Sequence, residues 1–204
     1  LAIISMIGGN ILALKQQNLK RLFAYSAIAH MGYILVAAIV AIEMKNNLAM
    51  EGSSYYLLAY VLASLVIFSV LTILSCGGDD NDQENLEQLK GLFWAKPGLA
   101  SALLLATLSM AGMPLTVGFI GKFYLLNAAL ELSAWWLISA MIVGSIIGIF
   151  YYLRVIFVLF EKSEQHFDSQ PYLQRAWLSI ITFCLILFGV LPEELGNQIA
   201  SLFS

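Results

Sequence analysis

The chain has 204 residues, of which 60% are hydrophobic and only 11% are charged. Its mean hydropathy of +0.84 is too high for a soluble domain, so the composition indicates an integral membrane protein. The formal net charge of -3 and the lack of a basic aromatic patch argue against nucleic acid as a partner. The chain opens on Leu1 inside an apolar run and shows no signal region, so we expect it to be the later part of a longer polypeptide.

Six apolar segments follow one another along the sequence, and about 20 residues are needed to cross the hydrocarbon core. In lipid, backbone groups find partners only within a helix or a closed barrel, and continuously apolar runs argue against a barrel. We therefore predict an all-α integral membrane protein with six transmembrane segments. These segments lie at residues 1–14, 22–42, 55–75, 97–130, 134–160 and 175–191.

The fourth segment is too long for one crossing, with 34 residues from Pro97 to Leu130. Pro114 lies inside this segment and removes a backbone donor, while Gly112 and Gly118 loosen the chain around it. These features predict a discontinuous helix with an unwound stretch near residues 112–118. The alternative is a tilted helix that is merely kinked.

The distribution of basic residues predicts the orientation, because Lys and Arg are enriched in cytoplasmic loops. One face receives seven of them, and only Lys45 lies on the other. The seven are Lys15, Lys20, Arg21, Lys90, Lys96, Lys162 and Arg175. We therefore expect the loop after the first segment to be cytoplasmic and the C-terminus to be periplasmic. The acidic run from Asp79 to Glu87 is expected to be a solvated connector.

Lys122 lies eight residues after Pro114 in an apolar stretch. A lysine at membrane depth costs about 2.5 to 3.5 kcal/mol and usually lines a pathway, although it can also snorkel to the interface. His30 is interpreted as a proton relay or, alternatively, as a hydrogen-bonded packing residue. Arg154, near the end of the fifth segment, is expected to snorkel to the cytoplasmic headgroups.

The sequence has no nucleotide-binding glycine loop, metal cluster or nucleophilic triad. Its two cysteines, Cys76 and Cys184, have the spacing of neither a metal site nor a disulfide framework. We therefore predict that this chain binds no cofactor and no metal, and that it makes and breaks no covalent bonds itself.

Two stretches together carry a family resemblance, NLKRLFAYSAIAHMGY and MAGMPLTVGFIGKFYLL. They resemble the antiporter-like membrane subunits of respiratory complex I, which are similar to the large subunits of multi-component sodium/proton antiporters. That family has fourteen helices with two inverted five-helix repeats, each containing a discontinuous helix. The resemblance implies that residues 1–160 form the second repeat, helices 9 to 13, with the broken helix at about 97–130. Residues 174–204 would form the last helix and a tail.

Within the family, the chain is most similar to the N-type subunits of bacterial NADH-quinone oxidoreductase, because it has a lysine at position 122 and not a glutamate. The resemblance implies a proton-translocating subunit of the bacterial inner membrane, with other complex I membrane subunits, the lipid bilayer and protons as its partners. NADH, FMN, iron-sulfur clusters and quinone would react in other subunits. The alternatives are a subunit of a sodium/proton antiporter and an inert structural spacer.

The resemblance also assigns residue roles. Lys122 matches the lysine of the second discontinuous helix, the expected proton exit group, and His30 lies in a helix of the central hydrophilic axis. The third segment lacks the histidine that other members often carry. There Tyr60, together with Tyr55 and Tyr56, is expected to organise water, unless these tyrosines are interfacial.

Overall fold

The computed structural model describes residues 1–44, 47–75, 85–163, 172–192, 196, 198, 199 and 201, and these form helices and short connections. Cys76, Pro171 and most of the acidic loop lie outside the described residues. The helices are α1 (Ala2–Leu14), α2 (Leu19–Met44), α3 (Asn47–Ser75), α4 (Leu92–Ala95), α5 (Pro97–Ala111), α6 (Val117–Glu131), α7 (Trp135–Phe160) and α8 (Tyr172–Val190). A short 3-10 helix, Leu86–Leu89, precedes α4.

Three helices are long and apolar enough to cross a membrane on their own, and they contain Leu19–Glu43, Met50–Ser75 and Trp135–Phe160. Three shorter apolar helices accompany them, at Ala2–Leu14, Pro97–Ala111 and Gln174–Val190. The chain is therefore an all-helical membrane protein in the part that the structure describes.

The third helix begins at Asn47, eight residues before the predicted start at Tyr55. Glu51, Ser53 and Ser54 make this first part too polar to be recognised as a membrane segment. Gly52 explains how this part packs closely against α6. A methyl group at Gly52 would lie 3.1 Å from Cβ of Tyr124, so the glycine allows α3 to approach α6 closely.

The fourth predicted segment consists of two helices, α5 and α6, with residues 112–116 between them. Pro97 occupies the first turn of α5, where its missing N–H does no harm. Gly112 ends α5 with φ of 78°, a left-handed conformation that glycine adopts without strain. Thr116 begins α6 and accepts a hydrogen bond from the Phe119 amide at 3.3 Å.

The helices surround two neighbouring cores. In one, α3 packs against α2, α5, α6 and α8, with fully buried residues such as Val66, Ile67 and Leu103. In the other, α1 and α2 pack against each other and against α7. Many large apolar side chains remain exposed on the outside, among them Phe150 at 63% and Phe157 at 66%. Such an apolar exterior is expected when lipid replaces water around a protein.

At one end of the bundle, polar contacts join the connecting segments to α7 and to one another. An Arg154 guanidinium N–H donates to the Gln16 carbonyl at 2.5 Å, and the Leu86 amide donates to the Gln17 carbonyl at 2.9 Å. The Trp94 indole donates to the Phe160 carbonyl at 3.1 Å. Arg154 therefore contacts the α1–α2 connection, a partner that the sequence did not predict, and its position relative to lipid headgroups stays a prediction.

Candidate functional site

Lys122 lies in the second turn of α6, and its side chain reaches back across the helix break. Its amine donates hydrogen bonds to the carbonyls of Met110 and Ala111, at 3.1 and 3.2 Å. The last carbonyls of a helix have no partner within that helix and carry the negative end of its dipole. Lys122 therefore places its charge at the open end of α5.

Two glycines make this geometry possible. Besides its left-handed conformation, Gly112 leaves space for Lys122, because a methyl group there would lie 3.0 Å from the lysine Cδ and 3.1 Å from Nζ. A methyl group at Gly118 would overlap the Ser109 carbonyl oxygen. The Gly118 amide also donates to the Ser109 hydroxyl at 3.2 Å, so the start of α6 is fixed against the end of α5.

The lysine amine also faces an aromatic ring and an open groove. Nζ lies 5.3 Å from the centre of the Tyr33 ring, which is a favourable cation–π position. A groove of about 250 Å³ reaches Lys122 between the helix break and α7, with Phe123, Met141 and Ser145 among its lining residues. The Ser145 hydroxyl donates to the Tyr33 hydroxyl at 3.4 Å, so a polar edge accompanies this mostly apolar groove.

His30 lies at the centre of a buried hydrogen-bond network and is only 4% exposed. Its Nδ1 is 2.6 Å from the Tyr56 hydroxyl, and its Nε2 is 3.0 Å from the Tyr152 hydroxyl. The Tyr152 hydroxyl also shares a hydrogen bond with Ser26. Because one ring nitrogen of a neutral histidine donates and the other accepts, the two tyrosines define opposite ends of a hydrogen-bonded chain through the ring.

Tyr60, the predicted pathway residue of α3, contacts His30 in a different way. Its ring packs against the imidazole with centroids 5.0 Å apart, and it is Tyr56 that makes the hydrogen bond. Tyr152 has no role predicted from the sequence, and it lies 122 residues from His30 along the chain. Its only sequence signal is the pair Tyr151 and Tyr152 in the middle of an apolar helix.

A second polar branch joins α1 to the same region. The Tyr151 hydroxyl donates to the Asn10 side-chain oxygen at 2.9 Å, and the Asn10 amide donates to the Met6 carbonyl at 2.6 Å. A methyl group at Gly144 would lie 2.8 Å from the Tyr33 hydroxyl and 3.1 Å from the Asn10 amide nitrogen. The polar groups of α1, α2 and α7 therefore converge beside this glycine.

Met110 connects the surroundings of Lys122 with those of His30. Its carbonyl accepts from Lys122, and its sulfur lies 3.6 Å from the Tyr152 hydroxyl. Tyr33 provides a second link, because its ring centre is 6.0 Å from that of His30 and 6.2 Å from that of Tyr56. A small cavity of about 10 Å³ lies between His30 and Gly118. This volume is close to the minimum that holds one water molecule.

The site contains groups that can hold and pass protons, namely an amine, an imidazole and phenol hydroxyls. Within the described residues, no group of three His, Cys, Asp or Glu side chains has the arrangement of a metal site. The arrangement therefore fits proton transfer coupled to changes of charge in its surroundings.

The family profile described as NADH:quinone oxidoreductase/Mrp antiporter, TM matches residues 1–148, which is most of the chain. The chain belongs to this family of antiporter-like membrane proteins.

Individual relatives point to one branch of the family. The chain is 45% identical over 201 residues to NADH-quinone oxidoreductase subunit N of Ectopseudomonas mendocina, covering 96% of this chain and 40% of that protein. It is 40% identical over 203 residues to subunit N of Methylococcus capsulatus, covering 98% of this chain and 41% of that protein. The chain thus spans about two fifths of the length of these curated relatives.

Solved structures share the fold. A chain of respiratory complex I from Thermus thermophilus with bound aureothin has a TM-score of 0.83 and 34% identity, over 97% of this chain and 44% of that one. A chain of the Mrp complex from a Dietzia species has a TM-score of 0.82 but 17% identity, over 98% of this chain and 45% of that one. The second likeness concerns the fold alone.

Proposed function

We propose that the chain is the later part of a proton-translocating membrane subunit of NADH-quinone oxidoreductase. The main support is the position of Lys122, which donates hydrogen bonds to the end of α5 at the helix break and lies beside the His30 network. Identities of 40 to 45% to proteins named NADH-quinone oxidoreductase subunit N support the same conclusion.

The described helices are compatible with six membrane segments. In this proposal α1, α2, α3, the α5–α6 pair, α7 and α8 each cross the bilayer. Residues 1–160 correspond to the second inverted repeat, and residues 174–204 contribute the last helix and a tail. The bias of Lys and Arg toward one face supports a periplasmic C-terminus in the bacterial inner membrane.

Lys122 is proposed to store and release a proton at the helix break. Desolvation disfavours its charged form, whereas the carbonyls of Met110 and Ala111 and the ring of Tyr33 favour that form. Because these opposing contributions are both large in a low-dielectric site, a new charge or a small movement nearby changes how firmly the proton is held.

His30 is proposed to pass protons between Tyr56 and Tyr152 and to respond to Lys122. Like charges repel strongly in a low-dielectric interior, so a proton on Lys122 opposes a proton on His30. Occupation of the two groups would then alternate, with the proton leaving Lys122 as His30 becomes charged. The packing of Tyr60 on the imidazole supports a positioning role for this tyrosine.

Electron transfer is assigned to other subunits of the proposed complex, where NADH, FMN, iron-sulfur clusters and quinone react. This chain would receive the consequence of that reaction as an electrostatic or conformational signal. Its enzymatic role is therefore that of a subunit, with other complex I membrane subunits and the lipid bilayer as its partners.

The test is proton pumping by inverted membrane vesicles that contain the full-length protein. NADH should acidify the lumen of vesicles that contain the subunit. Deletion of its gene should abolish this acidification by the complex, while the other respiratory enzymes stay active. A sodium/proton antiporter subunit would instead respond to an imposed sodium gradient without NADH. Sodium-driven proton movement that is independent of NADH would contradict the proposal.

A further inference from the structure

Tyr33 has its ring beside Lys122 and its hydroxyl beside α7. The side chain is only 2% exposed. Its ring centre lies 5.3 Å from the Lys122 amine, and its hydroxyl accepts a hydrogen bond from the Ser145 hydroxyl at 3.4 Å. One side chain of α2 therefore connects α7 with the broken helix. The proton transfer proposed for His30 and Lys122 gives Ser145 no role.

Gly144 and Asn10 complete the surroundings of the Tyr33 hydroxyl. A methyl group at Gly144 would lie 2.8 Å from the hydroxyl oxygen and 3.1 Å from the Asn10 amide nitrogen. Asn10 is itself fixed, because it donates to the Met6 carbonyl at 2.6 Å and accepts from the Tyr151 hydroxyl at 2.9 Å. The hydroxyl of Tyr33 therefore has polar and closely packed neighbours on both α1 and α7.

The position of the Tyr33 ring determines how strongly it stabilises the charged lysine. Cation–π attraction requires the cation to lie within about 6 Å of the ring centre. The Lys122 amine, at 5.3 Å, is close to this limit. A displacement of the ring by roughly 1 Å would therefore remove much of the attraction. Contacts that fix the hydroxyl thus also control the environment of the amine.

Few charged groups compete with Tyr33 for control of Lys122. No acidic residue is among the described lining residues of the Lys122 groove, and α5 offers the amine two backbone carbonyls. The titratable side chains packed around this region are His30 and Tyr33 on α2, Tyr56 on α3, and Tyr151 and Tyr152 on α7. Phenols titrate at about pH 10, so His30 is the neighbour whose charge changes near neutral pH.

We propose that Ser145 is a positioning residue for Lys122 and acts through Tyr33. Together with Gly144 and Asn10, it holds the phenol so that the ring faces the amine and favours the protonated lysine. A movement of α7 relative to α2 would then weaken the hold of Lys122 on its proton. As a control of proton release, this role rests on the proposed function of Lys122.

The experiment measures the protonation of Lys122 in the full-length protein, purified with its membrane partners and reconstituted into nanodiscs. Acetic anhydride modifies the neutral form of an amine, so acetylation of Lys122 across a pH series gives the midpoint of its titration. Tyr33→Leu removes the ring and should lower this midpoint by about 0.5 to 1.5 pH units. Ser145→Ala and Tyr33→Phe should each lower it by less, because the ring remains but loses its anchor. Ser145→Thr keeps the hydroxyl and should stay near the unaltered value.

A double-mutant cycle separates positioning from general destabilisation. If Ser145 acts through the Tyr33 hydroxyl, Ser145→Ala combined with Tyr33→Phe should have the midpoint of either single variant. Ser179→Ala is the matched control, because the Ser179 hydroxyl donates to a carbonyl of its own helix at 2.9 Å. This control should leave the midpoint unchanged. An unchanged midpoint in Ser145→Ala, or additive shifts in the double variant, would overturn the proposal.

The outcome is distinguishable from failure of the proposed function. Absence of NADH-driven pumping in the unaltered protein would reject that function, whereas normal pumping with unmoved midpoints would reject only the role of Ser145. Should Lys122 not react with the anhydride, the cycle is measured on NADH-driven pumping, whose decline toward alkaline pH should begin at lower pH in the same variants. Should the double variant not assemble, the comparison of Ser145→Ala with Ser145→Thr decides.

Discussion

The carbonyl oxygen of Met110 accepts a hydrogen bond from the Lys122 amine at 3.1 Å. The sulfur of the same methionine lies 3.6 Å from the hydroxyl of Tyr152, which in turn bonds His30. One residue at the end of α5 therefore contacts the surroundings of both titratable groups. A movement of the helix break that displaces Met110 would alter both environments together, which is a physical route for coupling them.

Removal of the Tyr56 hydroxyl should disturb the His30 network. In Tyr56→Phe, Nδ1 of the buried histidine loses its partner at 2.6 Å, and an unsatisfied buried polar group costs about 1 to 3 kcal/mol. We expect a lower melting temperature of the purified full-length protein together with slower NADH-driven proton pumping.

Tyr60→Phe is the matched control for that variant, because Tyr60 contacts His30 through its ring. The substitution keeps this packing, so melting temperature and pumping should stay near the values of the unaltered protein. If Tyr60→Phe were the more damaging of the two, protons would pass through Tyr60 and the role proposed for Tyr56 would fail.

Gly112→Ala should distort the helix break. A left-handed alanine costs roughly 1 to 2 kcal/mol, and its methyl group would lie 3.0 Å from the Lys122 Cδ. We expect reduced thermal stability and reduced pumping.

Gly8→Ala serves as the control, because nothing lies within 4 Å of a methyl group there. Gly8 lies within a helix, so alanine should stabilise by about 0.5 to 1 kcal/mol. Equal effects of the two substitutions would contradict the geometry of the break.

Arg154→Gln should weaken the attachment of α7 to the α1–α2 connection. The guanidinium group donates to the Gln16 carbonyl, and hydrogen bonds of charged groups contribute about 1.5 to 3 kcal/mol. The loss should appear in thermal denaturation, whereas Lys162→Gln on the exposed surface should change stability by less than about 0.5 kcal/mol. An unchanged melting temperature in Arg154→Gln would indicate that the cation is solvated by headgroups after all.

The sequence was sufficient to predict the all-helical fold class and the position of the helix break. Pro114 and Gly112 act through local backbone geometry, which a sequence displays directly. The start of α3 was missed because its polar first turns pack through Gly52, and a close approach between two helices leaves no periodic signal.

The surroundings of His30 could be predicted only in part. A tyrosine in an apolar helix is usually interfacial, so Tyr152 was not predicted to take part, and Tyr56 was expected only to organise water. Their roles follow from the way α2, α3 and α7 meet, since they bring together hydroxyls that are 26 and 122 residues from the histidine. The partner of Arg154 was not predicted for a related reason, because Gln16 lies 138 residues away.

Lys122 is proposed to carry protons on its side-chain amine, and the ratio of protons pumped to NADH oxidised reports this role. Lys122→Met keeps most of the length and the apolar stem of the side chain but cannot hold a proton, and Lys122→Ala removes the stem as well. Lys122→Arg keeps a charge and should be milder than either. In assembled complexes, both uncharged variants should lower coupled quinone-reductase activity and the pumping ratio. Undiminished activity and pumping ratio in assembled Lys122→Met would rule out proton transfer through Lys122 and leave the lysine as a structural cap of α5.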